Sequence, residues 1–212
     1  MKRTKVLTGT PAEHGYSFPA EWTAHAATWI SWPRPEGISF PGFYHRSIKD
    51  VARVVDAIST FEPVSINVPN ANYERIVRDE LRAAGTRFSK VRFVHIPTNE
   101  CWARDHGPAF VQRPRRGAIE TAIVDWGFNA WGGKYPPWDA DDAVPTRLGA
   151  ALGLPVFQAP IVMEGGAIDV NGQRLVAGDG ARLRDVREIH LSGGEQAEVL
   201  LFDLRPNELP HY

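Results

Sequence analysis

Apolar positions recur near helical spacing over residues 45–60, where Ile48, Val51, Val54, Val55 and Ile58 fall on one face. Pro63 follows as a stop. VSINV (64–68) then alternates apolar and polar residues, the period of a strand. Asn70 suits the N-cap of a second helix through Tyr73, Ile76, Val77 and Leu81, and Gly85 suits its C′ position. VRFVHIP (91–97) predicts the next strand. The loop TNECWARDHG leads into a strand PAFVQR (108–113), a turn at PRRG and a strand AIETAIVDW (118–126). GFNAWGGKYPPWD, with three glycines and two prolines, is read as irregular. A helix near 142–152, on Val144, Leu148, Ala151 and Leu152, precedes strands at PVFQA and IVMEGG. Asn171-Gly172 reads as a tight hairpin turn between AIDV and RLVAG.

Two or three strands, a helix and a strand, recurring at roughly 60-residue spacing, predict a mixed α/β protein. Residues 172–212 change character: they hold no Trp, only the aromatics Phe202 and Tyr212, and read as strands and turns. A soft boundary therefore divides residues 1–172 from a β-rich tail at 173–212, which could equally be the last hairpin of one domain.

Composition narrows the function classes. With 24 Lys+Arg against 25 Asp+Glu in 212 residues, the net charge of −1 gives no general attraction to nucleic acid or an anionic membrane. No window approaches the ~20 apolar residues of a transmembrane helix, and the basic start has no apolar stretch behind it. One cysteine, Cys101, excludes an intramolecular disulfide framework or a thiolate metal cluster, and a cytoplasmic, reducing compartment is expected. No cofactor motif is present, and His14, His25, His45 and His95 lack metal-ligand spacing. All seven tryptophans fall between Trp22 and Trp32 or between Trp102 and Trp138, in segments rich in Gly and Pro. Such segments suit ordered loops lining a concave site; core filling at sheet corners is the alternative for any single Trp.

Three segments could carry chemistry. Arg104-Asp105 lies on a Gly/Pro-bounded loop, where a carboxylate can accept two N–H groups of a planar guanidinium; a surface Arg–Asp pair or a turn-capping Asp is the other reading. Glu164 ends an apolar strand before two glycines that permit close backbone approach, or is simply a turn residue. In DWGFNAWGGKYPPWDADD, aromatic faces beside carboxylates suit an organic cation, whereas Asp139, Asp141 and Asp142 read as cap and first-turn charges of the following helix. Cys101 and His106 could form a nucleophile–base pair, though nothing in their spacing demands it, and a small, partly buried Cys is the other reading.

Taken together, FPAEWTAHAATWISWP, NECWARDHGPAFV, VDWGFNAWGGKYPPWDADDAV and VMEGGAIDVNG resemble the agmatine deiminase and bacterial peptidylarginine deiminase-like family, in order, from about Tyr16 to about Gly172. The resemblance implies a pentein α/β-propeller, of which this chain would hold about three of the five ββαβ units, ahead of the β-rich tail. It implies cofactor-free hydrolysis of a guanidinium group, such as agmatine to N-carbamoylputrescine and ammonia in putrescine biosynthesis, or of peptidyl-arginine. A Cys thiolate attacks the guanidinium carbon, a His moves protons and carboxylates grip the cation. On the matching positions, Asp105 is the guanidinium-binding acid, Glu164 the second catalytic acid and Trp102 an aromatic of the substrate pocket. The family's His-x-Asp-Gly-His segment and its later nucleophilic Cys have no counterpart here: His190 and His211 do not match, and no cysteine follows Cys101. The expectation is a family member that is inactive as this chain, or a non-catalytic guanidinium-binding or structural remnant left by gene truncation or fusion. An incomplete propeller would expose sheet surface and favour self-association. The last 35 or so residues, AEVLLFDL above all, weakly resemble the C-terminus of pirin-type cupins, without that family's metal ligands.

Overall fold

The structure is a computed structural model and describes residues 4–168 and 170. The 172/173 boundary, the Asn171-Gly172 hairpin, the tail strands and the cupin-like segment lie outside the described residues.

The elements run β1 (Val6–Leu7), β2 (Thr28–Ser31), α1 (Tyr44–Ser59), β3 (Val64–Val68), α2 (Ala71–Ala83), β4 (Val91–His95), α3 (Ala103–His106), β5 (Ala109–Arg115), β6 (Ala118–Gly127), α4 (Ala130–Gly133), α5 (Asp139–Asp142), α6 (Val144–Leu152) and β7 (Val156–Val162). They form two sheets, one ordered β2-β3-β4 and one ordered β1-β7-β6-β5. The mixed α/β expectation stands.

In the first sheet all strands are parallel, so each link is a helical crossover. Val64, Ile66 and Val68 meet Ile48, Ala52 and Val55 of α1 and Val77 and Leu81 of α2 in one core, closed by Trp32. Asn70 caps α2 as expected, its side chain accepting from the N–H of Tyr73 at 3.0 Å. VSINV forms the expected strand, and all five of its residues are buried. Ser65 and Asn67 occupy the face opposite the helices, where Ser65 accepts from Arg92 Nε at 2.5 Å and Asn67 donates to Ser31 at 3.4 Å. Neither β1 nor β2 was visible in the pattern; β1 has two residues, and β2 gains its place by pairing along β3.

In the second sheet β5 and β6 form an antiparallel hairpin, and α6 carries the chain to β7 beside β6, so residues 109–162 have ββαβ order. The hairpin is tighter than PRRG suggested: pairing continues to Arg115 and Ala118, leaving Arg116-Gly117 as a two-residue turn with positive φ at both positions. PVFQA and IVMEGG do not form separate strands, because β7 runs unbroken from Val156 to Val162. A third core, of Ile96, Ile123, Val144, Leu148 and Val156 with Trp29 and Val94 packed against it, joins the two sheets through α6. No helix among the described residues is long and apolar enough to cross a membrane.

Candidate functional site

The loop between β4 and β5 carries the Trp-Ala-Arg-Asp run, and polar bonds hold it from both sides. Asp141 on α5 accepts from the backbone N–H of Asn99 at 2.7 Å and of Glu100 at 3.2 Å. The Asn99 side chain returns the arrangement, accepting from Ala140 N at 2.8 Å and Asp141 N at 3.2 Å. On the other side Glu100 accepts from Ile38 N at 2.6 Å and from the Ser39 hydroxyl. Ser39 in turn accepts from the Trp102 indole at 2.8 Å, and Arg34 donates to the Thr98 carbonyl at 2.7 Å. Asp139, Asp141 and Asp142 do lie in the first turn of α5, but none caps it; Asp141 and Asp142 bond distant backbone, Asp142 accepting from Phe128 N at 2.7 Å.

The loop delivers Asp105 on the single turn α3. Arg104 does not pair with it: its guanidinium donates to the Ile168 carbonyl at 3.0 Å and lies 3.5 Å from Glu21. The Asp105 carboxyl is pushed up from its ordinary value by burial, which outweighs the Trp131 indole N–H and the Arg104 charge acting in the other direction.

Against α3 lies the Glu-Gly-Gly turn that follows β7. A Cβ added to Gly165 would stand 2.1 Å from the Arg104 carbonyl oxygen, so only glycine allows this approach. A Cβ on Gly166 would stand 4.0 Å from Asp105 Oδ1. Segments about sixty residues apart therefore converge at Asp105. Glu164, half-buried in extended backbone at the head of this turn, has no side-chain hydrogen bond among the described residues. Its carboxylate is thus uncommitted there, whereas Glu100 and Asp141 are fully engaged.

Trp102 is 42% exposed and tethered to the Ser39 loop, tilted against Phe40 at 6.3 Å. The aromatic interacting with the Asp105 carboxylate is Trp131, from the Gly- and Pro-rich stretch whose aromatic faces suit an organic cation. Ala130 and Trp131 both have positive φ, of 50° and 57°, a conformation costly for residues with a Cβ. Asn129 fixes the turn by accepting from Gly132 N at 2.8 Å. Edge-on contacts then run from His106 through Phe128 and Trp131 to Tyr135, with centroids 6.1, 5.5 and 5.8 Å apart. A strained turn at an aromatic, next to a carboxylate, is a signal that only backbone geometry reveals.

Cys101 and His106 do not form a pair. Burial, with the Glu100 charge adding to it, pushes the Cys101 thiol up to about 11, the opposite of an activated nucleophile. The His106 ring is buried against Phe128 and Asp141. No group of His, Cys, Asp and Glu suited to a metal ion is found among the described residues.

The Porphyromonas-type peptidyl-arginine deiminase family matches residues 17–201, most of the chain and past the 172/173 boundary. The chain belongs to this family. Curated relatives from Shewanella frigidimarina and Shewanella putrefaciens, each named "Putative agmatine deiminase", are 39% identical over 172 residues, covering 79% of this chain and 43% of theirs. An X-ray structure of another protein so named superposes with a TM-score of 0.69 at 30% identity, covering 80% of this chain and 46% of that one. The agmatine deiminase of Enterococcus faecalis superposes with a TM-score of 0.64 at 29% identity, covering 80% and 45%. The family resemblance read from the sequence is borne out. The chain spans less than half the length of these deiminase relatives.

Proposed function

We propose that this chain carries a guanidinium-gripping part of a deiminase-type site, with Asp105 and Glu164 as the acids that hold and act on the cation and Trp102 as a pocket wall. The observation that carries this reading is the packing of Gly165-Gly166 on Arg104-Asp105. It brings the Asp105 carboxyl, which no cation engages directly, against the turn headed by Glu164, whose carboxylate has no hydrogen bond among the described residues. Trp131 is added to that set, because its indole meets the Asp105 carboxylate and its ring is available for cation–π contact. The ligand is agmatine or peptidyl-arginine, small or side-chain guanidinium groups of the kind the names of the relatives imply.

As a separate chain of 212 residues, the protein binds rather than turns over. Deimination needs a thiolate, and with its thiol near 11, Cys101 is about one part in ten thousand ionised at neutral pH. The sequence offers no second cysteine and no His-x-Asp-Gly-His segment. About three propeller units, a polyamine-related role in the cytoplasm and self-association complete the reading. Association is favoured by exposed apolar residues, among them Trp22 at 76%, Ile161 at 50% and Val162 at 53%.

Ligand-observed NMR with agmatine tests the reading. One charge-assisted grip gives millimolar affinity, on the order of 4 kcal/mol, once the cost of association is met. Asp105→Asn should abolish it, and ammonia release should stay at the blank. Equal binding by wild type and Asp105→Asn overturns the assignment of Asp105, and Cys101-dependent ammonia release overturns the non-catalytic reading.

A further inference from the structure

Among the described residues one histidine and one carboxylate are buried outright, His106 at 2% and Asp141 at 1% exposure. They face each other with Nε2 3.9 Å from Oδ1, beyond hydrogen-bond length, and neither ring nitrogen of His106 has a partner. Buried polar atoms are rarely left so. Asp141, by contrast, ties down the backbone of Asn99 and Glu100, and the Asn99 amide ties down Ala140 and Asp141 in return. His106 follows Asp105 on the same helical turn, so a displacement of its ring carries the Asp105 backbone with it.

We propose that Asp141, together with Asn99, is a positioning residue for the Asp105 carboxylate, and that a proton bound between Asp141 and His106 shifts α3 and with it the guanidinium grip. The inference rests on the reading of Asp105 as a guanidinium ligand. A protonated Asp141 carries an O–H that needs an acceptor, and Nε2 of His106, with no hydrogen bond among the described residues, faces it at 3.9 Å. Closing 3.9 Å to a hydrogen bond moves one element against the other by about 1 Å. The same proton weakens Asp141 as an acceptor for Asn99 and Glu100, so the loop loosens as α3 moves.

The charged and titratable groups around the pair are Glu100 and Cys101 on the loop, Asp139 and Asp142 on α5, and Arg104 and Asp105 on α3. Phe128, against the ring, is uncharged. Burial, with Glu100 and Asp139 adding to it, pushes Asp141 up to about 6, while burial pushes His106 down to about 4. Between those values the pair holds one proton.

The test is NMR of the full chain from about pH 7.5 to 4.5, reading the Trp131 indole N–H and the backbone amides of Asn99, Glu100 and Asp105. All four should move with a shared midpoint near 6, and the agmatine Kd should rise about tenfold across it. Asp141→Asn keeps the shape but not the proton, and should erase the midpoint; Asp142→Asn should keep it. Chemical denaturation gives a second readout. On acidification the raised Asp141 adds stability from about 6 down to 3.8, while the lowered His106 removes it from 6.5 down to about 4, so the two oppose each other. Asp141→Asn removes the gain and keeps the histidine loss, so its stability should fall more than that of wild type over that range. Should Asp141→Asn not fold, the wild-type midpoint and a displaced Asp105 amide in Asn99→Ala decide the question. A midpoint that survives Asp141→Asn, or Asp105 and Trp131 signals that stay still across pH 6, overturns the proposal. If Asp105→Asn leaves agmatine binding intact, the guanidinium reading fails, while the shared midpoint still tests the positioning network.

Discussion

The β2-β3-β4 sheet and the loop assembly around Asp105 are built on opposite principles. In the sheet, α1 and α2 bury Val55, Val64, Ile66, Val77 and Leu81 in one apolar core, where burial is non-directional and shared among many contacts. Around Asp105 aromatic rings are present, Phe128 and Trp131 among them, but the loop itself is held by polar bonds. Asp141, Asn99, Glu100 and Asp142 hold the backbone by a few directed bonds each, and His106 has no hydrogen-bond partner among the described residues. Such an arrangement fixes a geometry closely, and it depends on each bond. Stability therefore lives mainly in the first region and the proposed grip in the second, as expected when loops are mounted on a rigid scaffold.

The comparison can be broken first from the scaffold side. Leu81 is fully buried between α2 and β3, so Leu81→Ala should lower the unfolding free energy by about 2–5 kcal/mol. Agmatine binding by the chain that remains folded should be unchanged, as denaturation beside NMR titration would reveal. The converse experiment is Gly165→Ala. Its methyl group meets the Arg104 carbonyl at 2.1 Å, and because that atom is backbone rather than a flexible side chain, α3 must shift. The stability loss should be about 1–3 kcal/mol, smaller than for Leu81→Ala, yet agmatine binding should disappear. If both variants lose binding in proportion to stability, the two regions are not separable. The smallest effect belongs to a scaffold cap remote from the site: Asn70→Ala removes the bond to Tyr73 N and should cost about 1 kcal/mol with no change in binding.

The same division explains what could be read along the chain. The two long helices follow from the spacing of Ile48, Val51, Val55, Val77 and Leu81, and Asn70 and Gly85 mark ends that the structure keeps. β3, β4, β5 and β6 were legible as short runs of strand-forming residues between breakers, β3 even though both of its faces are buried. β1 and β2 were not, being too short to show a period and existing through partners far off in sequence. Asp105 and Glu164 stood out as acids on a glycine-bounded loop and turn, but their roles, and Trp102 altogether, came from motif resemblance.

By itself, then, the sequence determined the mixed α/β class, the principal helices and strands and the family, because periodic burial and motif order are both written locally. It also established that Cys101 is the chain's one thiol. The tertiary structure decided which groups meet: that Arg104 leaves Asp105 for Ile168 and Glu21, that Gly165 permits α3 to pack, that Trp131 reaches Asp105 through a left-handed turn. It also decided that Asp141, by its position in the chain a residue of a helix start, is a buried acceptor beside an orphaned histidine. Directed bonds between segments some forty to sixty residues apart leave no periodic trace, since each depends on where the fold has already brought both partners.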